Sequence, residues 1–155
     1  MLDKGFKPAA VYDREFLVKS DEQFGVALER EGGLIYCKDT RIICGDIEES
    51  KFYVERLIKT LLWCVGGFKV YVSGNREVFE YIKECYATGG LRAFDAEFMS
   101  VVYEKPFEVV LVDKLPETKD NPKAIGRHLG GYRIGFDAGG SDMKVSAVVD
   151  GEVIF

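Results

Sequence analysis

The chain has 155 residues, enough for one ordinary domain with a sizeable core. Its 47% apolar and 13% aromatic content marks a folding sequence and excludes a disordered one. A net charge of −5, built from interspersed charges of both signs, argues against nucleic acid or an anionic membrane as partner, but not against a nucleotide whose charge is met locally.

Residues 1–10 are polar and broken by Gly5 and Pro8, so no signal peptide is expected. No apolar run reaches membrane-spanning length, and a cytoplasmic location is the expectation. Residues 1–20 read as an irregular or partly helical lead-in. Residues 24–29 and 34–38 flank Glu31-Gly32-Gly33 as a hairpin, which residues 40–44 extend. An acidic loop over 45–49 then ends at Ser50, the expected N-cap.

A helix follows over residues 52–65. Val54, Leu57, Ile58, Leu61, Leu62 and Val65 recur at helical steps, and Glu55 and Lys59 are expected to pair away from that face. Gly66-Gly67 ends the helix. Trp63 lies beside the apolar face and suits a core or domain contact better than a base-stacking platform. Residues 68–72 form a short strand, Ser73-Gly74-Asn75 a turn, and 76–86 a second helix with Val78, Tyr81, Ile82 and Cys85 inward.

Phe94, Phe98, Val101 and Val102 mark a third helix over about 92–104, on which Asp95 and Glu97 are expected to be solvated. Residues 107–112 are apolar on both faces and predict a central strand. Strand, helix, helix, strand makes 68–112 a parallel crossover unit. The Ser73-Gly74-Asn75 turn could sit under an anion, but helix capping is the plainer expectation. Residues 113–131, with Pro116, Pro122 and many charges, have linker composition, and His128 within them has no nucleophile or acid placed beside it. Cys37, Cys44, Cys64 and Cys85 show neither zinc nor iron–sulfur spacing, and Cys64 and Cys85 are expected to be buried free thiols.

The most specific stretch is 132–155. Ile134 and Phe136 lead to Asp137, Ala138-Gly139-Gly140-Ser141 turns the chain, and residues 143–149 run back. Asp150-Gly151 then turns it again into Glu152-Val153-Ile154-Phe155. A Gly-Gly turn lets backbone N–H groups approach a phosphate, Ser141 adds a hydroxyl and Lys144 a point charge. Asp137 suits a phosphate that carries Mg²⁺, held directly or through water.

This strand–turn–strand resembles the first phosphate motif of the sugar kinase/Hsp70/actin superfamily. Its Gly-Gly-Ser core is similar to the ROK family of sugar kinases and repressors. The seven-residue step from Asp137 to Lys144 looks like that of actin and of the ATPase activators of acyl-CoA dehydratases, whose cluster-ligating cysteines find no match here. ROK members usually carry Lys where this chain has Asp142, which sets a negative charge near the phosphates.

The fold expected is therefore α/β, with α+β as the alternative. A mixed-sheet domain with helices would fill residues 1–115 and a linker 116–131. A three-stranded antiparallel meander over 132–155 would resemble the start of an actin-like ATPase, or RNase H-like, domain. In ROK kinases the catalytic aspartate, the sugar-binding residues, the zinc site and the adenosine loops come later in the chain. The resemblance thus implies the N-terminal portion of a longer protein that binds MgATP through Asp137, Gly139, Gly140, Ser141 and Lys144. Alone it would be catalytically incompetent. The alternative is a non-enzymatic binding or regulatory module, and a DNA-binding repressor is disfavoured by the acidic, strand-rich N-terminal region. Neither nucleic acid nor membrane is expected as partner, and a homo-oligomer is compatible with either reading.

Overall fold

The computed structural model describes residues 6–120 and 130–155. The chain divides into two compact units, Met1–Asn121 and Pro122–Phe155. The first is a mixed four-stranded sheet with helices, and the second a separate three-stranded antiparallel sheet. Among the described residues no helix is long and apolar enough to cross a membrane.

In the first unit α1 (Ala9–Lys19) leads into β1 (Glu22–Glu29) and β2 (Ile35–Ile42), joined by a single 3₁₀ turn over Glu31–Gly33. Then come α2 (Ile47–Val65), β3 (Lys69–Ser73), α3 (Arg76–Cys85), α4 (Ala93–Tyr103) and β4 (Glu108–Leu111). The spatial order is β2-β1-β3-β4, with β3 and β4 parallel and the other pairs antiparallel. The crossover read from residues 68–112 is thus present. Its last strand is not central, as expected, but the sheet's edge. Val109 and Leu111 pack against the core, while the strand's first residue, Glu108, is exposed and pairs with Lys69 at 2.7 Å, the kind of charge an edge strand carries.

The core forms where alternate strand residues meet the helix stripes. Val26 stands opposite Val72 and Leu28 opposite Val70, and these join Val54, Ile58 and Leu62 of α2 and Val78 and Ile82 of α3. Each such side chain, fully buried, contributes about 1.5–3 kcal/mol. Phe16 of α1 closes one end by stacking on Tyr53, with ring centroids 4.1 Å apart.

Helix α2 begins earlier than the sequence suggests. Asp46, not Ser50, is its N-cap, and its Oδ1 accepts the Glu49 N–H at 2.9 Å. Ser50 is fully buried in the first turn. Its Oγ donates to the Ile43 carbonyl and accepts the Ile43 N–H, holding the end of the β2 segment against the helix. The cap consumes a solvent-exposed acid, whereas the buried hydroxyl satisfies both backbone groups of half-buried Ile43.

On the opposite face, residues 115–120 cross the sheet. A Cβ on Gly25 would lie 2.7 Å from Leu115 Cδ1, so glycine makes room for this strap. Cys37 Sγ donates to the Pro116 carbonyl, and Lys119 exchanges backbone hydrogen bonds with Ile35. The segment expected as linker thus begins as a layer of the first unit. Residues 121–129, with Pro122 and His128, lie outside the described residues.

In the second unit β5 (Tyr132–Ala138), β6 (Met143–Val149) and β7 (Glu152–Val153) form a meander. Asp150 at φ 50° and Gly151 at φ 90° make the two-residue turn that an Asp-Gly pair predicts.

Candidate functional site

The register of β5 on β6 decides what the second unit can present. Tyr132 pairs with Val149, Ile134 with Ala147, Phe136 with Val145 and Ala138 with Met143, so these share one face. Arg133, Gly135 and Asp137 stand opposite Val148, Ser146 and Lys144 on the other. One face is therefore an apolar sheet, with Ile134 80% and Phe136 65% exposed. The other carries a carboxylate and an ammonium directly opposed.

That polar face is notched. Gly135 has no side chain, and a Cβ there would meet Ser146 Oγ at 2.6 Å. Gly135, Asp137, Lys144 and Ser146, with Phe136 and Val145, line a shallow recess of ≈ 330 Å³. Sequence reasoning named Asp137 and Lys144 but missed Gly135 and Ser146. Their signal was the even spacing from Asp137 and Lys144, which puts all four on one face.

Gly139, Gly140 and Ser141 do not line this recess; they form the turn beyond it. The turn closes on itself. A Cβ on Gly139 would lie 2.8 Å from both the carbonyl oxygen and Oδ1 of Asp142, so Asp142 takes the room that the glycine leaves. Asp142 Oδ2 also sits 3.4 Å from Lys144 Nζ. Gly140 faces open space. The donor set available to a magnesium-bound phosphate is thus one free carboxylate (Asp137), one hydroxyl (Ser141) and an ammonium already sharing its charge. It fits an ion that keeps most of its waters, since Mg²⁺ commonly takes one or two carboxylates and completes its shell with water and phosphate.

No protein-family model, curated protein or solved structure matches this chain.

The first unit holds a buried polar cluster that the sequence misassigned. Glu55 does not pair with Lys59 on the surface. It is 3% exposed and accepts a hydrogen bond from Arg92 Nε. Asp95 is not solvated either. It is 5% exposed, takes the Trp63 Nε1–H at 2.6 Å on Oδ1, and has Oδ2 3.8 Å from Arg92. Two carboxylates converge on one guanidinium because neither could be buried without a charged or N–H partner. A signal existed. Glu55 stands seven residues before Leu62, nearly beneath it on the helix, and so belongs to the apolar face.

Beside this cluster the Tyr86 hydroxyl is buried with no hydrogen-bond partner among the described residues. Burial first, then the Asp95 and Glu55 charges, push it well above the usual phenol range. Its ring stacks on Phe107 at 5.3 Å and walls a cleft of ≈ 500 Å³ lined also by Thr88, Glu97 and Ser100. Cys85 is buried as expected, and burial raises its thiol, but Cys64 is exposed, since its place on α2 turns outward beside Trp63. The turn after β3 is a cap. Asn75 Oδ1 accepts the Glu77 and Val78 N–H groups at 3.0 and 3.3 Å, occupying donors that an anion would need.

Proposed function

We propose that residues 132–155 are the opening strands of an actin-like, ROK-type ATP-dependent kinase or ATPase fold, carrying its first phosphate loop. Alone they are not catalytically competent. The observation that carries this reading is the two-faced register. It opposes Asp137 to Lys144 beside the glycine turn, while the reverse face is an apolar sheet that no described residue of its own unit covers. A three-stranded meander is marginal without such a layer, so further elements belong against it.

In this reading Asp137 holds Mg²⁺, directly or through water, and Lys144 offsets phosphate charge. The Gly139, Gly140 and Ser141 segment supplies N–H and hydroxyl donors. The magnesium nucleotide would bring the transferable phosphoryl group. The chain's own residues bind and orient it, and none is assigned the role of base, because transfer needs an acceptor positioned in line.

A second reading, a non-enzymatic binding or regulatory module, is favoured by one observation. Asp142 both fills the space beneath Gly139 and draws Lys144 to itself. Amide NMR titration separates the two. Under the first reading MgATP and magnesium triphosphate, but not adenosine, shift Gly139, Gly140, Ser141 and Lys144 at millimolar concentration. Asp142→Lys then tightens binding severalfold, and Asp137→Ala abolishes it. Silence at those amides in both the native chain and Asp142→Lys rejects the phosphate loop and leaves the module.

A further inference from the structure

The residues whose spacing marks α4 as a helix are the ones it exposes. Phe94 is 69% exposed, Phe98 41%, Val101 72% and Val102 56%, while Asp95, Ala96 and Met99 turn inward. Trp63 extends this stripe from α2. Its ring stacks on Phe98 at 5.0 Å, and Phe98 on Phe94 at 6.1 Å, a ladder of three aromatic rings open to solvent. The indole is fixed in place by Asp95, which Arg92 and Glu55 fix in turn. Large aromatics immobilised before contact lose little side-chain entropy on binding, and such residues dominate interface energetics.

We propose that this face is the contact between two copies of the chain, related by a two-fold axis running along α4. Area and charge both favour a second copy. With about 150–250 Å² per aromatic side chain as the scale, Trp63, Phe94, Phe98, Val101 and Val102 leave on the order of 500 Å² of apolar surface bare. Two such faces bury roughly 1,000 Å², the lower bound for a specific interface, before the polar rim is counted.

The rim is self-complementary. At 100° per residue Asp95 and Glu97 fall on opposite flanks of the stripe. Trp63 bonds Asp95, so α2 lies on the Asp95 flank. Lys59, one turn before Trp63 and half-buried, belongs to that flank too. Neither Lys59 nor Glu97 has an ion-pair partner among the described residues. A two-fold axis along the helix exchanges the flanks and sets each Glu97 against Lys59 of the partner subunit, twice per dimer.

Sedimentation equilibrium on the 155-residue chain tests this. The expected result is a micromolar dimer of 17.4 kDa subunits. Val101→Asp and Phe98→Asp each weaken it at least a hundredfold with the far-ultraviolet circular dichroism unchanged. Emission from Trp63, the only tryptophan, moves to shorter wavelength as concentration rises through the dissociation constant. Glu97→Lys alone and Lys59→Glu alone each weaken the dimer about tenfold, and the two together restore it. A monomer at every concentration overturns the proposal. So does a dimer that survives Val101→Asp, one that is instead broken by Phe136→Asp in the second unit, or a double swap that fails to restore association.

Discussion

Arg92, the residue before α4, donates through Nε to the carboxylate of Glu55 in the middle of α2, and the two side chains are 18% and 4% exposed. This pair joins two helices whose facing sides would otherwise leave a carboxylate stranded between them. Removing the cation alone should therefore cost more than removing both charges. Arg92→Met is expected to destabilise the first unit by about 3 kcal/mol, and Arg92→Met with Glu55→Leu by less. The apolar pair needs no partner, while Asp95, which also loses the guanidinium, keeps the Trp63 N–H. Urea denaturation followed at Trp63 measures both. A double variant no more stable than the single would show that the pair contributes net attraction of its own.

Asp95 ties the indole of Trp63 to the same cluster at 2.6 Å. Asp95→Asn keeps an acceptor for the indole N–H, whereas Asp95→Ala leaves that donor and Arg92 short of one. The alanine variant should lose about 1–3 kcal/mol and show a red-shifted, more readily quenched Trp63 emission. The asparagine variant should keep the native spectrum. Equal spectra in both would mean that stacking on Phe98, not the hydrogen bond, holds the ring.

Much of this arrangement was legible in the residues, and the part that was not has a common cause. The crossover of β3, α3, α4 and β4 follows from apolar runs punctuated by Gly66, Gly67, Gly74, Gly89 and Gly90, each a local signal. Asp137 opposite Lys144 follows from a short turn closed by the Ala138–Met143 pair. The acids were missed because a charge is expected outside unless its partner is known. Glu55 finds Arg92 thirty-seven residues away, a pairing that only tertiary structure creates. The exposed stripe on α4 was hidden for the converse reason. Periodicity tells that a helix has an apolar side, not which side the sheet receives. The turn over Gly139-Gly140-Ser141 could be recognised from its composition, but Asp142 folding beneath Gly139 depends on loop backbone angles that no spacing encodes.

Tyr86 gives the first unit an alkaline limit. Its hydroxyl is buried without a partner among the described residues, and burial with the nearby Asp95 and Glu55 charges raises its pKa above the ordinary phenol value. The unfolded chain, with an ordinary phenol, releases the proton first, so between the two pKa values the folded state holds more protons. Stability contributed this way is complete below pH 10 and declines as pH climbs toward the folded value. Tyr86→Phe should flatten that decline and leave stability near pH 7 unchanged or slightly higher, since no hydrogen bond is lost. Thermal melts from pH 7 to 11 give the comparison. A decline of undiminished slope in Tyr86→Phe would assign it to other groups, of which Tyr12, raised to about 12 chiefly by burial, and Tyr81, raised to about 12 first by its contact with Cys85, are the next.

The two glycines of the terminal turn should respond in opposite ways to the same substitution. At Gly139 a methyl group would press to 2.8 Å on the Asp142 carbonyl and carboxylate, so Gly139→Ala must push Asp142 outward. That movement separates Asp142 from Lys144 and opens the space a phosphate would enter. At Gly140 nothing lies within 4 Å and the backbone angle is not one reserved for glycine. Gly140→Ala is therefore expected to stabilise the hairpin by about 0.4–1 kcal/mol, through the unfolded chain's lost freedom. Amide hydrogen exchange across β5 and β6 reads both effects, slower in Gly140→Ala and faster near the turn in Gly139→Ala. If the alanine at 139 also frees Lys144, triphosphate should bind Gly139→Ala more tightly than the native chain despite its looser strands. Unaltered exchange at position 139 would mean that Asp142 does not rest beneath that glycine in solution, and the turn would then be open to an anion without any substitution.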